Sequence, residues 1–193
     1  MLKLAAKSVV AFCLVYSLLL NTSCAPSLRS RIKAMQEAVN RGDVDASASF
    51  YAEDARFLIN GKPRIEGREA IRKSNEQEAA LNMHITSTDC RQSGNAVTCK
   101  VKMTNDWLRA AGVSAAYYEN VTYTFENDLI KEIDAGPAQE TEKLMQEFER
   151  DFPTWASEKR PQEWAQLREE GITTENVGRW LALVRQWREE TKK

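Results

Sequence analysis

Histidine is almost absent from this 193-residue chain, which holds one, His84, and a multi-histidine metal centre is thereby excluded. Eight glycines and five prolines are too few for collagen-like or low-complexity sequence. Neither sign of charge prevails: 27 Lys+Arg stand against 28 Asp+Glu, and no basic block offers a footprint for nucleic acid. No cofactor is expected from any motif. Long apolar runs are also missing; the one extended run, Val9–Leu20, falls short of the roughly 20 residues that cross a bilayer. What is present is 42% hydrophobic residues, too many for a disordered chain, in a length that suits one ordinary domain with additions.

The N-terminus reads as an export signal over residues 1–23. Lys3 and Lys7 supply a positive start, and the run that follows matches a secretory core. Leu20-Asn21-Thr22-Ser23-Cys24 resembles the bacterial lipobox, with Asn21 where that pattern prefers an aliphatic residue. The resemblance implies a lipid on Cys24, tethering to a membrane, and a place in the bacterial cell envelope facing outside the cytoplasm. Ala25 after that cysteine resembles the sorting pattern for the outer membrane where the cell is Gram-negative. Removing residues 1–23 takes two lysines and no acid, leaving 25 basic against 28 acidic residues, a formal charge of −3.

Two further cysteines lie in Cys90-Arg-Gln-Ser-Gly94-Asn95-Ala-Val-Thr-Cys99. A Gly-Asn pair between strand-like runs signals a hairpin, and centring the turn there sets 93 opposite 96 and Cys90 opposite Cys99. A non-hydrogen-bonded pair brings the α-carbons closest, so a disulfide fits; two buried thiols are the alternative. Extending the same register pairs 88 with 101, 86 with 103 and 84 with 105. Asp89 then faces Lys100, while His84, Thr86, Thr88 and Asn105 join Cys99, Val101 and Met103 on the apolar side. A polar pair there is either a satisfied core hydrogen bond or the polar end of a pocket.

Leu28, Ile32, Met35 and Val39 recur at helical spacing and stop near Gly42. Asp43 can cap a short second helix carrying Val44, Ala48 and Tyr51. A strand is predicted over residues 55–60, a third helix over 68–81, and long strands over 83–92, 95–106, 115–126 and 129–135. Helices followed by a bent antiparallel sheet make an α+β layout. From Pro137 the pattern becomes helical, with stripes through Leu144, Met145, Phe148, Phe152 and Trp155, and through Val177, Trp180, Leu181, Val184 and Trp187. Four of the five tryptophans lie there, so residues 137–193 form a helical extension serving as a packed cap or as an interface.

The blocks Ala38-Val39-Asn40-Arg41-Gly42-Asp43-Val44-Asp45, Phe50-Tyr51-Ala52-Glu53-Asp54-Ala55 and Ile65-Glu66-Gly67-Arg68-Glu69-Ala70-Ile71, with the later Tyr123-Thr124-Phe125-Glu126-Asn127-Asp128-Leu129-Ile130, are similar to the SnoaL-like and ketosteroid-isomerase-like branch of the nuclear transport factor two-like superfamily. The resemblance covers residues 28 to about 136. It implies a cone, in which N-terminal helices pack into the concave face of a curved antiparallel sheet around a mostly apolar cavity, giving a cone domain over residues 24–136. Counting along the blocks, the isomerase's tyrosine falls on Met35, its base on Ile59 and its oxyanion acid on Val121, all apolar and unable to move protons or donate such bonds. Strand alternation and family geometry direct Met35, Phe57, Ile59, Met103, Val121 and Tyr123 inward with His84, Thr86 and Asn105, and set Trp107 near the mouth. Superfamily members commonly dimerise through the outer sheet face, which this register gives Met83 and Ile85; the extension covers that face instead in the reading preferred here, and monomer and homodimer both stay open.

Two functions follow. One is an exported, non-catalytic binding module taking a small apolar molecule or an envelope protein. The other is an isomerase, cyclase or dehydratase using His84 as acid and base.

Overall fold

The computed structural model describes residues 26–191. The proposed signal and Cys24 lie outside the described residues. Helix α1 (Leu28–Asn40) begins where the Ser27 hydroxyl accepts the Ser30 amide, and it buries Ile32, Met35 and Val39, the apolar face set by their spacing. Gly42, at φ +68°, turns the chain, and Asp43 caps α2 (Val44–Ala48) by accepting the Ala46 amide. Strand β1 (Tyr51–Ile59) starts four residues earlier than expected, so Tyr51 lies on a strand and pairs with Ile130. Asn60 and Gly61, both at positive φ, form the tight turn into β2 (Lys62–Glu66), a short edge strand that periodicity did not reveal. Next come α3 (Arg68–Ala80), β3 (His84–Ser93), β4 (Ala96–Thr104), α4 (Asp106–Ala110), β5 (Ala116–Glu126) and β6 (Leu129–Pro137).

The six strands form one sheet in the order β2-β1-β6-β5-β4-β3, with β1 parallel to β6 and every other pair antiparallel. Irregularities interrupt the pairing between Phe57 and Leu58, Cys99 and Val101, and Tyr118 and Asn120, and such bulges bend a sheet. The fold is α+β, with α1 and α3 against the concave face and a core built from both.

One bulge corrects the expected register. Ser93 pairs with Ala96, Gln92 with Val97 and Arg91 with Thr98, as the Gly94–Asn95 turn dictates. Asp89 then adopts φ +52°, an extra residue enters β3, and the next pair is Thr88 with Lys100. Cys90 and Cys99 remain opposed and joined by a disulfide, with Cα atoms 4.1 Å apart. Beyond the bulge every side chain of β3 changes face. Ile85 and Ser87 turn toward the core, while His84, Thr86 and Thr88 face outward and are exposed. Asn40 secures this arrangement, since its amide donates to the Ile85 carbonyl at 2.9 Å and its oxygen accepts the Ile85 amide at 2.7 Å.

The extension consists of α5 (Gln139–Lys159), α6 (Pro161–Glu170) and α7 (Val177–Thr191). Its apolar stripes meet in a second core around Phe152, Leu167, Leu183 and Val184, joined by Leu81, Ala110 and Ala111 from the cone. Trp107 belongs to this cluster, with ring centroids 5.1 Å from Phe148 and 5.6 Å from Trp180. It is therefore a packing residue and does not stand at a cavity mouth. The extension seats on α4 and the end of α3, and the outer sheet face stays polar, with Thr88, Lys100 and Lys102 exposed. Met83 and Ile85, expected on that outer face, lie inside. Among the described residues the one large apolar side chain that is exposed is Tyr117, at 48%.

Candidate functional site: an apolar cavity with one carboxyl

Between the helices and the concave sheet face lies a cavity of about 120 Å³. Met35, Phe57, Met103, Val121 and Tyr123 line it. His84, Thr86, Ile59, Asn105 and Trp107 do not. For His84 and Thr86 the reason is the bulge at Asp89. Asn105 ends β4 and caps α4, its side-chain oxygen accepting the Leu108 amide at 2.8 Å. His84→Ala is accordingly expected to change the affinity for a cavity ligand less than about twofold, which calorimetry would check; a larger loss would return the imidazole to the site.

The cavity's polar groups come from elsewhere. Helix α3 presents Ile71, Ser74, Asn75 and Glu78 to it, positions spaced 3, 1 and 3 along one helical face. Asn75 is tied down by donating to the Ser47 hydroxyl at 2.8 Å. Glu78 is not tied: among the described residues no side-chain hydrogen bond or ion pair reaches its carboxylate. Glu78 is half-buried by its overall exposure, and the desolvation of its carboxyl end inside the cavity pushes its pKa up to about 7, since burial disfavours the charged form and no cation offsets it. Opposite stand three tyrosines. Burial, reinforced by the Glu78 charge, raises Tyr51 and Tyr118 above the ordinary phenol value, and burial raises Tyr123. All three stay protonated at neutral pH. The Tyr51 hydroxyl donates to Met35 Sδ at 3.7 Å. The Tyr123 hydroxyl accepts from Gln36 Nε2 at 3.3 Å, and the same amide donates to the Ser87 hydroxyl at 2.6 Å.

Sequence reasoning overlooked Glu78 although a signal existed. Ile71 anchors the buried face of α3, and Glu78 lies seven residues on, two turns along the same stripe. Chemically the site can desolvate a small apolar body and exchange one proton or one charge with it. Met35 and Val121 line the cavity but hold no proton, and Ile59 lies outside it, so the isomerase set is not assembled here. No cluster of His, Cys, Asp and Glu among the described residues could hold a metal ion.

The geometry agrees with comparisons to known proteins. A model of the SnoaL-like domain matches residues 32–133. No curated relative matches the chain. Among solved structures, SalBIII, an epoxide hydrolase/cyclase-like enzyme of pyran ring formation in the polyether salinomycin, is 19% identical with a TM-score of 0.51, over 59% of this chain and 92% of that one. An NTF2-like protein of unknown function from Cytophaga hutchinsonii is 14% identical with a TM-score of 0.48, over 59% and 92% respectively. A de novo designed protein with a curved β-sheet is 18% identical with a TM-score of 0.49, over 62% and 91%.

Proposed function

The chain belongs to the SnoaL-like domain family, and from that membership we propose an exported, membrane-tethered module whose cone cavity binds a small apolar molecule without turning it over. The observation that carries this reading is the cavity's lining: largely apolar walls with a single carboxyl, and apolar Met35 and Val121 where the isomerase branch keeps two of its catalytic groups. A cavity of about 120 Å³ is of the size that takes a single aromatic ring, since an apolar cavity of about 150 Å³ binds benzene. The Lys3–Leu20 signal, the lipobox-like Cys24 and the Cys90–Cys99 disulfide support residence outside the cytoplasm, where disulfides persist. Lipid on Cys24 would supply the tether.

Glu78 favours a second reading, an enzyme of the cyclase or isomerase kind in which this carboxyl, and not His84, moves a proton. A pKa near 7 suits a general acid or base. The binding role is preferred because the Tyr51 hydroxyl is spent on Met35, which leaves one donor fewer for a developing oxyanion.

Native mass spectrometry of the protein purified from its own host tests the proposal. A retained small molecule, on a chain that begins at lipidated Cys24, is the expected result. A bare chain that also shows no saturable binding of benzyl alcohol would overturn it.

A further inference from the structure

Glu78 raises the question of what its carboxylate is for. The residue lies on α3 with its side chain in the cavity, and nothing among the described residues pairs with it. The titratable groups that face it are Tyr51 from β1 and Tyr118 and Tyr123 from β5; α1, β2, β3, β4 and β6 present only apolar side chains. No Lys, Arg or His among the described residues lines the cavity, so a carboxylate or phosphate ligand would meet repulsion from Glu78 and no counter-charge. A pure hydrocarbon would fill the space and leave Glu78 as it is. A positive charge would do more, because burying a charge is tolerable when it is paired and hydrogen-bonded. The tyrosine rings and Phe57 add aromatic faces, which attract cations through their quadrupoles.

We infer that the ligand of this cavity is a small apolar ammonium, its hydrocarbon or ring held by the cone walls and its cationic head donating hydrogen bonds to Glu78. The inference rests on the binding reading and narrows it to one chemical class. It also sets the direction of a pH response. A pair between ammonium and carboxylate needs Glu78 ionised, so affinity for an amine climbs as pH rises through the carboxyl's titration. A ligand that only accepts hydrogen bonds, such as an aryl ketone, needs Glu78 protonated, and its affinity moves the opposite way.

The test compares benzylamine, benzyl alcohol and acetophenone by calorimetry on the full-length chain from about pH 5 to about pH 8, a range over which benzylamine keeps its charge and Glu78 changes. At the alkaline end benzylamine is expected to bind about tenfold or more tightly than benzyl alcohol, the size of one charge-assisted hydrogen bond, and the advantage disappears at the acid end. Glu78→Gln should erase the benzylamine advantage while benzyl alcohol still binds, which keeps a folding defect apart from a lost charge. Equal affinities at the alkaline end, or acetophenone preferred and strengthening as pH falls, would overturn the ammonium assignment and leave the binding reading intact. Failure of all three probes to bind would remove both.

Discussion

Phe152→Ala is expected to destabilise the folded chain by about 3–5 kcal/mol, the largest single loss anticipated here. The ring is 1% exposed and sits where all three extension helices and α4 converge. Its neighbours are Trp107 at 6.0 Å, Trp164 at 5.5 Å and Trp187 at 5.6 Å between centroids, with Phe148 stacked at 4.8 Å. Truncation removes these contacts and leaves a void that rigid indoles cannot refill. Urea unfolding followed by tryptophan emission measures it directly, because the affected cluster holds all five tryptophans. A loss below about 1 kcal/mol would mean that the extension is not packed as described.

Glu78→Gln should act in the opposite direction, and only where the carboxyl is ionised. The folded-state pKa, about 7, lies above the ordinary 4.5, so the native protein holds a proton that the unfolded chain has released. The associated stability is complete below about pH 4.5 and is lost as pH rises through 7. At about 1.4 kcal/mol per pKa unit, and allowing for water in the cavity, ionised Glu78 lowers stability by roughly 2–3 kcal/mol at pH 8. The neutral amide escapes this, since desolvating it is far less unfavourable than desolvating a charge. The variant is therefore expected to be more stable than the parent by that amount near pH 8 and indistinguishable near pH 4 in urea titrations. A variant destabilised at both pH values would show that the carboxylate has a partner.

The balance between sequence and structure turns on a few residues. Periodicity in α1, the Gly94–Asn95 turn, the opposed cysteines and the helical stripes of the extension were all legible, because each depends on neighbours a few positions away. The face presented by β3 was not. It hinges on one residue, Asp89, entering the left-handed region without being a glycine, and nothing local distinguishes that aspartate from one that stays in register. A slip of one position sent His84 out to solvent and brought Ile85 in. Glu78 was hidden for a different reason: α3 carries Arg72, Lys73, Glu76 and Gln77, and a carboxyl among them looks solvated until the sheet is seen to close over its face.

The parallel pairing of β1 with β6 governs how this molecule reaches its native state. Phe57 meets Ile133 and Tyr51 meets Ile130, so the centre of the sheet joins segments separated by most of the cone. Such pairing raises the contact order, and the entropy of closing a loop that long must be met before the contacts reward it. During synthesis β1 and β2 emerge from the ribosome well ahead of the strand that will sit between β1 and β5. The cavity, which needs β1, α3 and β6 together, cannot exist on a nascent chain until the cone is nearly complete, and any ligand can therefore act on folding only at its last step.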